Sequence, residues 1–222
     1  MKRISVYFIS IFLSGFFMHA SGQDTIQFPL TMKIGADISG PASYFADKNT
    51  LAVEGFFSID RDTSKAFVVE AGYLDFRYSQ YNYDFRSQGG FLKLGVDFNL
   101  LSPMVSKGKY YAGVGLRYGL GIFSYEVPYY EHENYWGTFS DQIPASTHMA
   151  HFLEVSPGIR SEIFKNISIG WAVRLRLLVY SGTGKDLKAI YIPGFGNGSL
   201  SFSPGFSYFL ILNIPFRTVE VR

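Results

Sequence analysis

Residues 166–180 read Asn-Ile-Ser-Ile-Gly-Trp-Ala-Val-Arg-Leu-Arg-Leu-Leu-Val-Tyr, and this stretch decides the fold class. Its apolar residues occupy alternate positions: Ile167, Ile169, Trp171, Val173, Leu175, Leu177 and Val179. Small residues and two arginines, Arg174 and Arg176, lie between them. Because successive side chains of a strand point to opposite faces, the pattern predicts a β-strand with one purely apolar face and one polar face.

Seven further segments alternate in the same way, at about 30–39, 51–59, 65–78, 92–100, 110–122, 153–163 and 202–216. Each reaches the roughly 9–11 residues that a tilted strand needs to cross a bilayer. Leu30 falls on the apolar face of its segment. In the segment 65–78 the alternation slips by one residue, which predicts a β-bulge near Tyr73. In the last segment, Phe209 and Ile211 fall on the polar face.

The first 22 residues have the pattern of a secretory signal peptide, with basic residues at positions 2 and 3, an apolar stretch to Met18 and small residues at 20–22. An uncleaved membrane anchor is the alternative, but the apolar stretch is short for a span. Cleavage would leave residues 23–222, which we expect to form one barrel domain.

The composition of the rest of the chain narrows its class. Without Lys2 and Arg3 it has 18 basic and 18 acidic residues, so nothing favours nucleic-acid binding. The absence of cysteine excludes a disulfide scaffold, a thiol catalyst and a lipid-anchored cysteine. Charged residues make up 17% of the full sequence, below the usual value of about 25%, and after residue 22 no apolar run is long enough for a membrane helix. We therefore predict an all-β fold, a closed antiparallel transmembrane β-barrel of about eight strands.

The predicted connections alternate in length. Three are short (60–64, 102–108 and 164–166) and four are long (40–50, 79–90, 125–148 and 181–200). Short periplasmic turns and long outer loops are typical of bacterial barrels, so both termini should lie in the periplasm.

A soluble lipocalin-like barrel or a β-sandwich would alternate too, with its apolar face inward. Glycine at 113, 115, 119 and 121 on the polar face of one strand favours the opposite orientation, since small residues make room in a narrow interior. Aromatic residues at the ends of the apolar faces, such as Phe57, Phe98 and Phe206, resemble interfacial girdles. We therefore expect the apolar faces to contact outer-membrane lipid.

The polar faces then line the lumen, where charges of both signs should pair because an isolated buried charge is costly. We predict a lumen charge network of Asp37, Glu54, Glu70, Lys93, Asp97, Arg117, Glu154, Arg160, Glu162, Arg174 and Arg176. A filled, salt-bridged interior is the favoured interpretation, and a narrow ion-selective channel is the alternative.

In this pattern the chain resembles the small eight-stranded outer-membrane barrels of Gram-negative bacteria. The resemblance covers nearly all of residues 24–216 and is one of architecture. Ser203, Gly205, Tyr208 and Leu210 in the last segment also fit the loose signal that barrel-insertion machinery recognises, although Arg217 to Arg222 extend past it. The resemblance implies one of four roles: a structural anchor, a surface binder, an accessory subunit of an assembly or secretion machine, or a lipid-modifying enzyme. We expect a non-enzymatic structural or accessory subunit of an envelope complex, with assembly, insertion or secretion machinery as the leading kind of partner. We expect no cofactor.

The main enzymatic alternative is a lipid-modifying enzyme at the outer rim. His148 and His151 lie near Ser146, Ser156 and Glu154, but a serine hydrolase needs a serine and a carboxylate within hydrogen-bond reach of one histidine. The acidic and histidine residues at 131–133 do not form a recognisable metal site, and we predict none. Amphipathic aromatic residues are frequent binding anchors, so the loop 125–148 is the best binding candidate, through Tyr129, Tyr130, Tyr135 and Trp136.

Overall fold

The computed structural model describes residues 25–183 and 188–221. The predicted signal peptide, residues 1–22, lies outside them. The elements, in chain order, are β1 (Ile26–Asp37), α1 (Ser39–Ala46), β2 (Thr50–Asp60), β3 (Lys65–Gln80), β4 (Tyr83–Asn99), α2 (Pro103–Ser106), β5 (Tyr110–Asn134), β6 (Gly137–Phe164), β7 (Ile167–Ser181), β8 (Tyr191–Ile192), β9 (Gly196–Asn197) and β10 (Phe202–Val221). No helix of the described residues is long and apolar enough to cross a membrane.

Eight of the strands form a closed ring in the order β1-β10-β7-β6-β5-β4-β3-β2, and every neighbouring pair is antiparallel. The short strands β8 and β9 pair only with each other. The predicted closed barrel of about eight strands is confirmed. Closure satisfies the backbone hydrogen bonds of both edges, which is what a sheet in lipid requires.

The barrel is apolar outside and polar inside. On β7, Trp171 is 40% exposed on the outer wall, whereas Arg174 is 1% exposed in the lumen. The exposed side chains of the other strands follow the same alternation and give the barrel a continuous apolar outer wall. The predicted orientation of the apolar faces is thus confirmed.

The two ends of the barrel differ, and we call them the turn end and the hairpin end. The turn end holds the start of β1, the end of β10 and the connections at 61–64, 100–109 and 165–166. At the hairpin end, the predicted long loops 79–90 and 125–148 are wrong, because the strands continue and leave only residues 81–82 and 135–136 as turns. The strands extend there because their inward side chains, including Phe85 and Val127, are buried in an apolar cluster above the charged lumen.

Two details of the predicted alternation are also wrong. No β-bulge occurs near Tyr73, since β3 keeps a continuous register with both neighbours and instead turns Leu74 inward, where it is buried. Leu30 is buried rather than lipid-facing, because the β1–β10 register shifts between Leu30 and Thr31 and brings two consecutive side chains inward. In both cases an apolar residue fills an end of the lumen.

Residues 188–201, which precede β10, fold back into the mouth of the barrel at the hairpin end. Ala189, Ile192 and Phe195 of this segment are fully buried against strand residues such as Phe123 and Phe152. The rings of Phe152 and Phe195 lie 5.8 Å apart. This apolar cluster closes the hairpin end of the lumen.

Candidate functional site

The lumen charge network is built from inward-facing residues of seven strands, β1 to β7. Arg117 of β5 donates from Nε to Glu70 Oε1 at 2.8 Å and from Nη2 to Asp97 Oδ1 at 2.7 Å. Both carboxylates are buried, on β3 and β4. Such charge-assisted bonds offset part of the cost of taking three charges out of water.

Lys93 is the centre of the network and is 0% exposed. Its Nζ lies 3.1 Å from Glu154 Oε2, 3.4 Å from Glu54 Oε1 and 3.4 Å from Glu70 Oε2. These carboxylates come from β6, β2 and β3, so one ammonium group links four strands across the barrel. Lys93 can reach all three carboxylates because the ring is closed, so that strands that are not neighbours in the sheet face one another across the lumen.

Two arginines of β7 complete the network. Arg174 Nη1 lies 2.6 Å from Glu54 Oε1, and its Nη2 lies 4.0 Å from Asp37 Oδ2. Arg176 Nε donates to Glu154 Oε2 at 3.0 Å, and its Nη1 donates to the Phe195 carbonyl at 3.1 Å. Arg176 therefore ties the closing segment to the charged layer below it.

Nine of the eleven predicted network residues meet in this way, and two do not. Arg160 lies in the lumen over the ring of Tyr111, at 4.3 Å, in a cation–π contact. Within the described part of the chain, neither Arg160 nor Glu162 forms an ion pair within 4.0 Å. Both lie nearer the turn end, where the barrel interior opens.

The sequence prediction missed a second ion pair, near the turn end. Lys33 of β1 contacts Asp60 of β2, and Asp60 Oδ2 also accepts hydrogen bonds from the Thr31 backbone N–H and hydroxyl, both at 2.8 Å. Asp60 lies an even number of positions from Glu54 and Ser58 and therefore points to the same face of β2. The alternation of β2 was the signal that could have predicted its place in the lumen.

The charged layer fills the lumen almost completely. A cavity beside Glu70, Arg117 and Arg174 holds only about 50 Å³. That is room for one or two water molecules, not for a continuous column of water. With the apolar cluster above it, the layer makes the interior a packed core.

The predicted binding residues at the hairpin end divide into two groups. Tyr135 and Trp136 form the tip of the β5–β6 hairpin, are 93% and 83% exposed, and contact each other edge to face at 5.3 Å. Tyr129 and Tyr130 are half-buried lower on the same hairpin. Tyr129 donates to Glu131, and this hydrogen bond raises the pKa of the Tyr129 phenol. Of these four predicted binding residues, Tyr135 and Trp136 therefore expose the largest fractions of their side chains.

The enzymatic alternative needs His148 to be hydrogen-bonded both to a serine and to a carboxylate. The structure shows only the contact with a serine. His148 Nε2 lies 2.7 Å from Ser146 Oγ, and Nδ1 lies 3.0 Å from the Gly182 carbonyl oxygen. Because a carbonyl only accepts, Nδ1 carries the proton and Nε2 accepts from the serine hydroxyl. The group that orients His148 is thus a backbone carbonyl instead of a carboxylate. The carboxylate of Glu154 pairs instead with Lys93 and Arg176.

The other histidine of this region faces the opposite side of the wall. His151 Nδ1 lies 2.5 Å from the Tyr118 hydroxyl oxygen on the outer surface, and its ring lies 5.9 Å from that of Tyr180. This contact separates His151 from the lumen-facing Glu154 and Ser156. Residues 25–183 and 188–221 contain no group of three histidine or carboxylate residues placed to hold a metal ion.

A closed ring of eight antiparallel strands, apolar outside and charged inside, defines the class: the fold is that of a small outer-membrane β-barrel. A family model described as "Domain of unknown function (DUF6048)" matches residues 2–219, and the chain belongs to that family.

Two solved structures are similar to the chain. The Neisserial surface protein A (NspA) has 12% identity and a TM-score of 0.39, with 87% of this chain and all of that chain covered. CarO of Acinetobacter baumannii has 12% identity and a TM-score of 0.35, with 85% of this chain and 98% of that chain covered. Similarities this distant carry no inference about ligands or function. No curated protein sequence matches the chain.

Proposed function

We propose that the protein is a non-enzymatic, integral outer-membrane barrel that serves as a structural or accessory subunit of an envelope complex. Machinery for outer-membrane protein assembly or insertion, or for secretion, is the leading kind of partner. In this proposal the turn end faces the periplasm and the hairpin end faces outward, as short turns and long hairpins suggest. The cleaved signal peptide is the export route.

The observation that carries the proposal is the aromatic tip of the β5–β6 hairpin. Tyr135 and Trp136 are held above the wall by paired strands rather than by a flexible loop, so little conformational entropy would be lost when a partner covers them. Tyr81, in the neighbouring β3–β4 turn, is 98% exposed. Exposed tyrosine and tryptophan are frequent anchors of protein interfaces.

The packed lumen supports the same proposal because it argues against a channel. A channel needs a continuous aqueous path, whereas Lys93 and Arg174 are tied to carboxylates across the lumen and Phe195 closes the mouth. Because the interior of the barrel is a packed core, we expect its outer surfaces to bind the partner.

Affinity purification from native outer membranes tests the proposal with one variant and one matched control. The variant is Tyr135→Ser/Trp136→Ser. The control is Tyr44→Ser/Phe45→Ser, a second adjacent aromatic pair on α1, of which Phe45 is 85% exposed. We expect the wild type and the control to be recovered in one complex of fixed composition. Loss of two interface anchors should lower recovery of the partner at least tenfold. A wild-type barrel recovered alone, or a tip variant that keeps its partner, contradicts the proposal.

The Ser146–His148 hydrogen bond favours one competing candidate, a lipid-modifying hydrolase. In that candidate Ser146 is the nucleophile, His148 the base and the Gly182 carbonyl the group that orients it. Analysis of outer-membrane lipids by mass spectrometry separates the two: the hydrolase requires that Ser146→Ala abolish a lipid modification, and the accessory subunit requires that it change none.

A further inference from the structure

The barrel wall has a notch at the hairpin end, because one strand is shorter than its neighbours. β1 ends at Asp37, which pairs with Glu54 of β2 and with Phe209 of β10. Beyond this point β2 continues to Thr50 and β10 continues to Phe202. Residues 50–53 and 202–208 therefore face each other without a strand between them, and we call this gap the wall notch.

The helix that follows β1 does not fill the wall notch. α1 packs mainly against β2, and a Cβ at Gly40 would come within 2.3 Å of the Ala52 carbonyl oxygen. Ile38, the residue before α1, donates a hydrogen bond of 2.8 Å from its backbone N–H to the Tyr208 carbonyl of β10. Pro204, which has no N–H to offer, lies on the β10 side of the gap, a position typical of proline in an unpaired strand edge.

A cavity of about 510 Å³ occupies the notch, within the range of about 300–1,000 Å³ that small-molecule sites have. Its lining changes character from the lumen to the lipid side. The lumen side is polar and includes Asp37, Ser39, Glu54, Arg176, Ser203 and Ser207. The lipid side is apolar and includes exposed Val53, Tyr73, Phe202 and Phe206 of the outer wall.

The polar side holds the carboxylates of Asp37 and Glu54, and its hydrogen-bond donors are Arg176 and the hydroxyls of Ser203 and Ser207. Asp37 Oδ1 already accepts from the backbone N–H and the hydroxyl of Ser39, and Glu54 is paired with Arg174 and Lys93. Arg176 has five N–H donors, of which the described residues take two. A ligand group that binds Arg176 and these serines must accept hydrogen bonds, and an anionic oxygen group accepts them most strongly.

We propose that the wall notch is a lateral binding site for an amphiphile with an anionic head group and a single apolar chain, drawn from the surrounding lipid leaflet. The head group binds Arg176 and the serine hydroxyls of β10, and the chain leaves the barrel sideways between Val53 and Phe206 into the lipid. This site lies apart from the aromatic tip and does not depend on the accessory role.

Native mass spectrometry of the barrel in a neutral polyoxyethylene detergent tests the site with three probes of equal chain length. The probes are dodecyl phosphate, dodecyltrimethylammonium and dodecanol. We expect one saturating adduct with dodecyl phosphate and at least tenfold weaker binding of the other two, since a hydrogen bond to an anionic oxygen is stronger than one to a neutral hydroxyl and the trimethylammonium group accepts none. Equal binding of all three probes overturns the anionic head group.

A pair of matched substitutions locates the adduct. Ser207→Phe places a ring in the cavity, whereas Ser201→Phe places the same ring at an exposed position just before β10 that does not line the cavity. We expect dodecyl phosphate binding to be lost in the first variant and kept in the second. The same adduct in both variants contradicts a site in the notch.

A second measurement does not require that Ser207→Phe fold. A single tryptophan replaces either Phe202 at the notch or Leu94 on the outer wall of β4, in a chain whose two native tryptophans are phenylalanine. Dodecyl phosphate with a terminal bromine should quench the tryptophan at 202 at probe concentrations at least tenfold lower than at 94. Quenching of both at the same concentration shows only general partitioning into the detergent and overturns the proposal.

Discussion

Replacing Lys93 with methionine is the sharpest perturbation of the lumen charge network. The methionine side chain has nearly the length of lysine and no charge, so the packing of the aliphatic part is retained. The nine joined residues comprise five carboxylates and four cations, and the variant leaves five carboxylates with three cations. Three carboxylates within 3.4 Å of Lys93 Nζ lose that partner at once.

The expected cost follows from the burial of these groups. Lys93 is fully buried and the side chain of Glu154 is 1% exposed, so water cannot replace the lost ammonium. Breaking a buried ion pair by removing one partner typically costs about 3–5 kcal/mol. We expect the free energy of unfolding of Lys93→Met to fall by about that amount. In Lys93→Met/Glu154→Gln part of the loss should return, because the second change removes one of the stranded charges.

Urea unfolding of the barrel in phosphatidylcholine vesicles, followed by Trp171 fluorescence in a Trp136→Phe background, measures these differences. Lys65→Met is the matched control, since Lys65 is exposed at the start of β3, and it should change stability by no more than about 0.5 kcal/mol. If Lys93→Met is as stable as Lys65→Met, the buried network is not what holds the lumen together.

Three further outcomes are expected. The purified barrel in planar bilayers should show no discrete conductance, and stepwise currents at neutral pH would contradict the packed lumen. Phe152→Ala should lower the free energy of unfolding by about 3–5 kcal/mol, because Phe152 is fully buried against Phe195, whereas Phe139→Ala on the exposed hairpin should have little effect in the same urea titration. His148→Ala should leave the outer-membrane lipid profile unchanged by mass spectrometry, and a lost lipid species would instead favour the hydrolase.

Strand alternation predicted most of the barrel wall because one physical rule governs it: each side chain faces either lipid or the lumen. Ile169, Trp171 and Val173 satisfy that rule without exception, and Arg174 lies where the same rule places it. The network residues were predictable for the same reason, since a charged residue on an inward position has only other inward residues as partners.

The rule fails where the lumen itself becomes apolar. Leu74 is buried on the inward face of β3, and Val127 is buried in the apolar cluster at the hairpin end. Both are as hydrophobic as lipid-facing residues, so hydropathy alone predicts a false bulge near the first and a false loop around the second. Leu30 fails for another reason, a shift of register that depends on the pairing with β10. The wall notch was unpredictable from sequence because it arises from the unequal lengths of β1, β2 and β10, which only the closed ring brings together.

Site-directed spin labelling along β7 tests the central claim most directly, because the chain has no cysteine and each introduced one is unique. Labels at Val173 and Leu175 in lipid vesicles should be accessible to oxygen dissolved in the bilayer and shielded from an aqueous nickel chelate. A label at the inward position Ala172 should be shielded from both, and one at Tyr81 should be open to the chelate. If the nickel chelate reaches Val173 and Leu175 as readily as Tyr81, the apolar wall faces water and the protein is not a membrane barrel.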